Sequence, residues 1–309
     1  MYRLSFLLCL FVFAGNIAFS QSDSATLVSV NWERTILSPG LVWEEYHFRQ
    51  NELFHSTQNI NFIEILPGQQ TACLSVTYSD SLEKTSQLAL KKSAFAAING
   101  SFFKMRGADP DYHPALTVVP HSAPSRIDRN RSVVYLRVND SLISENTWDK
   151  EKVRRRHQQG VVSIDSCRVF ILNAENNDPE WEKKLNGQDI ITTGPVLLVS
   201  GKNMKIPDDA FCNDRHPRTA IGKRPDGTII LLVVDGRHAE ANGMSMKELQ
   251  QTLRWIGCTD AINLDGGGSS TLYIKGQPDN GVVNYPTDNK QFDHYGEREV
   301  ANAILVIPK

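Results

Sequence analysis

The chain has 309 residues, 40% of them hydrophobic and 22% charged, with 33 Lys and Arg against 35 Asp and Glu and a formal net charge of −2. That is ordinary globular composition, which excludes collagen-like, coiled-coil and disordered chains. Binding to a polyphosphate backbone calls for a basic excess that is missing here, so nucleic acid is set aside as a partner. The length fits one large domain or two small ones, because single cores stop growing at roughly 250 to 300 residues.

Residues 1–20 predict a cleaved secretory signal. Arg3 precedes an apolar run over residues 4–14, and Ala18 and Ser20 place small side chains where a signal peptidase reads. The run is too short to span a bilayer core of roughly 30 Å as a helix. Cys9 lies inside the run and not directly after it, which speaks against a lipoprotein. No later stretch is long and apolar enough to span, so the mature chain is expected to have no integral membrane segment and to be secreted or periplasmic. Of the four remaining cysteines, Cys73, Cys167, Cys212 and Cys258, an even number permits two disulfides in three pairings, and permits none equally well.

Residues 27–78 predict strands, with Trp43, Tyr46 and Phe48 and then Ile60, Phe62, Ile63 and Ile65 among polar residues, broken at Ser38-Pro39-Gly40 and Pro67-Gly68. A helix is expected over 82–92. Strands are expected at 94–98, 133–138, 161–164, 169–172, 196–199, 229–234, 261–264, 271–274 and 303–307. The best specified helix starts at Ser245, where Glu248 completes a capping box. Met246, Leu249, Leu253 and Ile256 share one face, and Gly257 suits the position after the last turn. Residues 140–184 are the most polar and are expected to form surface excursions. Many strands and few helices predict an α+β fold of twisted, largely antiparallel sheets with a few packed helices. A single domain over 21–309 is expected, with 21–93 supplying N-terminal strands and a helix and 94–309 forming a motif-bearing core.

Polar residues gather at the ends of predicted strands. Asn99-Gly100 ends one, as a turn or as a site. Arg218 and Thr219 stand beside another. Asp235-Gly236-Arg237 ends a third, where residues two apart share a face and form either an ion pair or a pair of site groups. The fourth place, Asn263 and Asp265 followed by Gly266, Gly267, Gly268, Ser269, Ser270 and Thr271, is the most informative. Glycines let backbone N–H groups approach a ligand and form an anion-binding nest. No Gly-Lys-Ser/Thr follows, so this is not a Walker loop, and Ser269 and Ser270 lack the frame of a nucleophile elbow.

Taken in order, these motifs resemble the phosphodiester glycosidase family. The resemblance is carried by 97–103 (AINGSFF), Thr193-Gly194-Pro195, 217–222 (PRTAIG), Asp235-Gly236-Arg237, the helix from Ser245, 263–270 (NLDGGGSS), 283–288 (VNYPTD) and 296–303 (GEREVANA). It spans roughly residues 30–309 and is strongest from 94 onward. Thr287 stands where the family commonly has Ser. Residues 105–185 match little, so substrate specificity does not carry over.

The resemblance implies hydrolysis of a sugar joined through its anomeric carbon to a phosphodiester. Glycosidic cleavage ordinarily uses one carboxylic acid and one carboxylate. A phosphate leaving group is a weak base, and fixed cations and N–H donors take over much of the acid's work. Asp235 and Asp265 are the candidate catalytic carboxyls, with Glu240 a third. Arg218 and Arg237 suit phosphate oxygens, and Gly266 to Gly268, Ser269 and Ser270 complete a cradle. Asn99, Gly100, Thr219 and Asn263 are the remaining candidate binding residues, Asn99 and Asn263 for sugar hydroxyls or an N-acetyl group. Asp235, Asp265 and Asn263 also suit a hard divalent cation such as calcium, although no cofactor is obligatory and the spacing is not that of an EF-hand. The expected partner is a phosphorylated saccharide. Two alternatives remain: a phosphodiesterase or phosphatase that breaks the P–O bond, and a non-catalytic glycan-binding protein.

Overall fold

The computed structural model describes residues 22–68, 72–105, 131–174 and 176–309. The expected signal sequence at 1–20 lies outside the described residues. None of the described helices is long and apolar enough to cross a membrane.

In chain order the elements are α1 (Asp23–Ser29), β1 (Glu33–Ser38), β2 (Leu41–Leu53), β3 (Ser56–Ile65), β4 (Ala72–Lys84), α2 (Thr85–Lys91), β5 (Ala96–Asn99), β6 (Leu136–Val138), β7 (Ser141–Ser144), β8 (Gly160–Asp165), β9 (Arg168–Asn173), β10 (Asp189–Thr193), β11 (Val196–Val199), β12 (Lys202–Asn203), α3 (Ala210–Asn213), β13 (Arg218–Lys223), β14 (Ile229–Val234), α4 (Met246–Trp255), β15 (Asp260–Asn263), β16 (Leu272–Ile274) and β17 (Glu299–Pro308). They form an eight-stranded sheet in the order β1-β2-β3-β14-β13-β15-β11-β12, a five-stranded sheet β7-β6-β10-β8-β9 and a four-stranded sheet β16-β5-β17-β4. The named strand pairs are antiparallel.

The two-residue period of a strand explains the layering. Ile63, Ile65, Leu231, Val233, Ile221 and Ile262 point from one face of the eight-stranded sheet into a core shared with Val76, Ile304 and Val306 of the four-stranded sheet and Val162 and Ile191 of the five-stranded sheet. Their neighbours Ile60, Phe62, Ile230, Leu232 and Ala220 point the other way, onto Leu27 of α1 and Met246, Leu249 and Leu253 of α4. Ala97, Ala303 and Leu305 face Leu88 and Ala89 of α2.

Helix α4 begins at Ser245, whose hydroxyl accepts from Glu248 N–H while Glu248 reaches back to Ser245 N–H at 2.8 Å, and Gly257 follows it at φ 96°. The helix expected over 82–92 is shorter. Residues up to Lys84 continue β4, because 83 and 84 pair with Val300 and Glu299. Residues 140–184 are not surface excursions: they build β7, β8 and β9. Their polar residues are spent internally, as in the buried Arg154–Glu182 pair, 2.6 Å apart. Cys73 on β4 is bonded to Cys167 in the β8–β9 turn, while Cys212 and Cys258 are free and buried.

Candidate active site

Pairing places the motifs at one margin of the eight-stranded sheet. Arg218 at the start of β13 lies opposite Val234 at the end of β14, and Ala220 lies opposite Asn263 at the end of β15. From β15 the chain crosses through residues 264–271 to β16 in the four-stranded sheet, beside β5, whose last residue is Asn99. The glycine-rich segment is thus the seam between two sheets, and Gly267 turns it at φ 63°.

Behind the seam lies a lattice of satisfied polar groups. Asn99 is fully buried: its Oδ1 accepts from Thr219 Oγ1 at 2.7 Å and from Thr271 N–H at 3.2 Å, and its Nδ2 donates to the Asp265 carbonyl at 2.7 Å. Asn99 and Thr219 therefore bind each other and the seam, where a sugar-holding role was expected of Asn99. Gly100 donates to the Asn302 carbonyl at 3.0 Å, and any side chain there would collide with Asn302 Oδ1, which accepts from Ser101 N–H at 2.6 Å. It is glycine for close packing and not for a ligand.

Asp235 is also part of this lattice. Oδ2 accepts from Asn59 Nδ2 at 2.8 Å, and Oδ1 from Asn284 Nδ2 at 2.8 Å and Tyr285 N–H at 2.9 Å. Burial raises its pKa against the pull of these donors. A carboxylate enclosed by three donors is suited to hold β3, β14 and residues 284–285 together. Arg218, 1% exposed, stacks its guanidinium 4.9 Å from the Phe211 ring centroid. Nε donates to the Met244 carbonyl at 2.7 Å, and Nη2 to the carbonyls of Phe211 at 2.7 Å and Asp214 at 2.8 Å. Three of its five donors are committed to main-chain carbonyls, which makes it a structural clamp between β13, Met244 and residues 211–214. Burial first, then Arg237 and Arg156, push its pKa down to about 10, so it stays charged at neutral pH. Asn263 Nδ2 donates to the carbonyls of Gly194 at 2.9 Å and Leu264 at 2.5 Å.

The outer side of the seam is different. Asp265 keeps a partly exposed edge, yet protein packed round its carboxyl raises its pKa, against Ser269, Arg298, Gly266 and Arg237, which lower it. A Cβ on Gly267 would lie 3.1 Å from Arg237 Nη2, and one on Gly268 would lie 2.5 Å from Arg298 Nη2 and 2.6 Å from Asp288 Oδ1. The glycines make room for arginines. Four buried atoms around the seam, Asn263 Oδ1, Ser270 Oγ, Thr271 Oγ1 and Thr287 Oγ1, have no hydrogen-bond partner among the described residues, while the buried Ser269 hydroxyl bonds to the Asp265 carboxyl. Each such atom costs about 1 to 3 kcal/mol unless something polar meets it. The expected backbone nest is largely spent, since Gly267 N–H donates to the Pro217 carbonyl at 2.9 Å and Ser270 N–H to the Gly267 carbonyl at 3.1 Å. Hydroxyls and guanidiniums take its place.

Glu240 is exposed, and its backbone carbonyl accepts from His47 Nε2 at 2.8 Å; no described contact brings its carboxylate to Asp265. Of the donors named for a calcium ion, the Asp235 oxygens face N–H groups of Asn59, Asn284 and Tyr285. Arg298, Asp288, Asn284 and Asn302 were not singled out from the sequence. They belong to the closing motif stretch, Asn284, Asp288 and Arg298 before β17 and Asn302 within it, and their polar character in or beside an apolar strand was the available signal.

The chain is 35% identical over 97 residues to mouse N-acetylglucosamine-1-phosphodiester alpha-N-acetylglucosaminidase, which is 31% of this chain and 18% of that one. It is 32% identical over 111 residues to the SPbeta prophage-derived uncharacterized protein YomE of Bacillus subtilis (strain 168), 31% of this chain and 17% of that one. The matched part is thus under a fifth of these relatives' lengths. The fold resembles the zebrafish N-acetylglucosamine-1-phosphodiester alpha-N-acetylglucosaminidase catalytic domain auto-inhibited by pro-peptide, with TM-score 0.63 at 18% identity, covering 91% of this chain and 89% of that one. A hypothetical protein from Synechocystis gives TM-score 0.60 at 15% identity over 91% and 64% of the two chains. Residues 92–307, which hold the seam, the lattice behind it and the arginines in front, match the phosphodiester glycosidase family model, and the chain belongs to that family.

Proposed function

We propose that the chain is an exported glycoside hydrolase that cleaves the anomeric C–O bond of a sugar-1-phosphodiester, of the N-acetylglucosamine-1-phosphodiester kind. Water supplies the hydroxyl of the free sugar, and the departing phosphate leaves as a phosphomonoester. The observation that carries the reading is the outer face of the seam, where the Asp265 carboxyl lies within electrostatic reach of two arginines on a segment that also carries the unpartnered buried hydroxyls of Ser270 and Thr271. A saccharide supplies hydroxyls for such atoms, and a phosphate supplies oxygens for guanidiniums.

In this reading Asp265, as carboxylate, acts on the anomeric centre as base or nucleophile. Arg237 stabilises the charge of the leaving phosphate, which lessens the need for a strong proton donor. Asp235 positions the seam from behind, and Glu240 has no assigned step. Export is supported by residues 1–20 and by the Cys73–Cys167 disulfide, a bond that persists in oxidising compartments. One domain over 21–309 is supported by the core that joins Leu41 and Ile63 to Ile221 and Ile304. The test is incubation with the methyl phosphodiester of N-acetylglucosamine-1-phosphate and chromatography of the products. Free N-acetylglucosamine with methyl phosphate is expected. Release of N-acetylglucosamine-1-phosphate instead identifies a phosphodiesterase, and saturable binding without product identifies a glycan-binding protein.

A further inference from the structure

Two guanidiniums reach the seam from segments far apart in the chain. Arg237 follows β14 at φ 65°, and Arg298 directly precedes β17. Both act on the same carboxyl, since each pulls the pKa of Asp265 down against its burial. Both are seated on neighbouring glycines: a side chain at 267 would crowd Arg237, and one at 268 would crowd Arg298.

Arg298 is held more tightly than a surface arginine needs to be. Its side chain is 14% exposed, Nε donates to Asp288 Oδ1 at 2.8 Å and Nη2 donates to the same oxygen at 2.5 Å. Asp288 itself follows Thr287, whose buried hydroxyl has no partner among the described residues, and Ser269, fully buried on the turn beneath, bonds to Asp265. Ordering an arginine costs side-chain entropy. Asp288 is 37% exposed, so the pair is open to solvent on one side and screened there, and glycine at 268 does more than make room for an ion pair. A planar cation fixed beside another at the same carboxyl is instead the arrangement that fits two oxygens of one phosphate.

We propose that Arg298, oriented by Asp288 and seated on Gly268, is the second arm of a two-arginine clamp that, with Arg237 on Gly267, grips the phosphate of the substrate beside Asp265. The clamp makes Arg298 a specificity-determining residue, favouring sugars with a phosphodiester aglycone over sugars with an uncharged one. Asp288 is a positioning residue. The proposal rests on the glycosidase reading for its substrate, and its direct test does not.

That test is calorimetric titration of the full mature chain with inorganic phosphate. Arg298→Met and Arg237→Met are each expected to weaken phosphate binding by ~10- to 100-fold, the range for losing charge-assisted hydrogen bonds. Arg298→Lys, which keeps the charge and loses the fork, and Asp288→Asn, which keeps the arginine and frees it, are expected between wild type and Arg298→Met. Arg298→Met is also expected to lower the ratio of kcat/KM for the sugar phosphodiester over that for the nitrophenyl glycoside of the same sugar by at least ~10-fold. Should Arg298→Met fail to fold by circular dichroism, Arg298→Lys and Asp288→Asn decide. Wild-type phosphate affinity in the folded Arg298 variants, or no phosphate binding by the wild type, overturns the clamp. Arginine-dependent phosphate binding in a protein that releases no sugar from the phosphodiester upholds the clamp and removes the glycosidase reading.

Discussion

Asp235 and Asp265 each follow a strand of the same sheet, and burial raises the pKa of both, yet one belongs to a region that is closed and the other to a region that is open. Around Asp235 every carboxylate oxygen meets an amide donor, and around Asn99 both ends of the amide are engaged. Along the segment of Asp265 the buried hydroxyls of Ser270 and Thr271 lack partners among the described residues, and two arginines lean over glycines. A buried polar residue whose hydrogen bonds are complete holds the fold. A set of buried polar atoms left incomplete round a carboxyl is where a ligand has something to add. The family's motif letters run through both regions without separating them, and only the count of partners does.

The sharpest way to break this division is Asp265→Asn. Its removal of a catalytic carboxylate should lower kcat on the sugar phosphodiester by about 10³-fold or more, with the melting temperature within about 2 °C of wild type. Loss of fold with the activity would place Asp265 in the closed region instead. The converse variant is Asn99→Ala, which strands Thr219 Oγ1, Thr271 N–H and the Asp265 carbonyl. It should cost about 3 to 4 kcal/mol in urea unfolding, and an unchanged midpoint would mean that the lattice is not what holds the seam. A comparable or smaller loss, about 2 to 4 kcal/mol, is expected when Cys73 and Cys167 are both replaced by Ser. That bond ties the two smaller sheets away from the site, so kcat measured well below the melt should be unaffected.

The smallest effect concerns pH. Burial places the Asp265 pKa above its ordinary value of 3.8, so if the carboxylate is the working form, kcat/KM should rise through an acid limb above that value. Because Arg298 pulls this pKa down, Arg298→Met should move the limb further upward. A downward shift would contradict the placement of Arg298 beside Asp265. In stability the sign is opposite: a raised carboxyl pKa favours the fold at low pH and loses that contribution as pH rises through the folded-state pKa.

Apolar runs made much of the fold legible. β11 at Val196–Val199 and β14 at Ile229–Val234 match their expected bounds, because continuous branched side chains admit few alternatives. Helix α4 was legible from its cap and stripe. β10, Asp189–Thr193, carries only two aliphatic residues and gave no strand signal, although all five of its residues are buried. Residues 140–184 read as surface because Arg154 and Glu182 look solvated until they are seen to pair. In the site, the glycine seam and Asp265 were visible as a chemical oddity. What the sequence could not tell apart was ligand-facing from lattice residues: the partners of Asn99, Ser101 and Asp235 lie 120 residues away at Thr219, 201 at Asn302 and 49 at Asn284. Arg298 stood in the 296–303 motif without a role for the same reason, since nothing local to it shows that Gly268 lies beneath.

The account turns on which bond breaks. Hydrolysis of a sugar-1-phosphodiester in ¹⁸O-labelled water, followed by mass spectrometry of both products, answers this directly. Attack at the anomeric carbon beside Asp265 puts the label in the sugar, and the wild type should do so while Asp265→Asn forms neither labelled product at a comparable rate. Label in the phosphate would show that the P–O bond is cut and contradict the account.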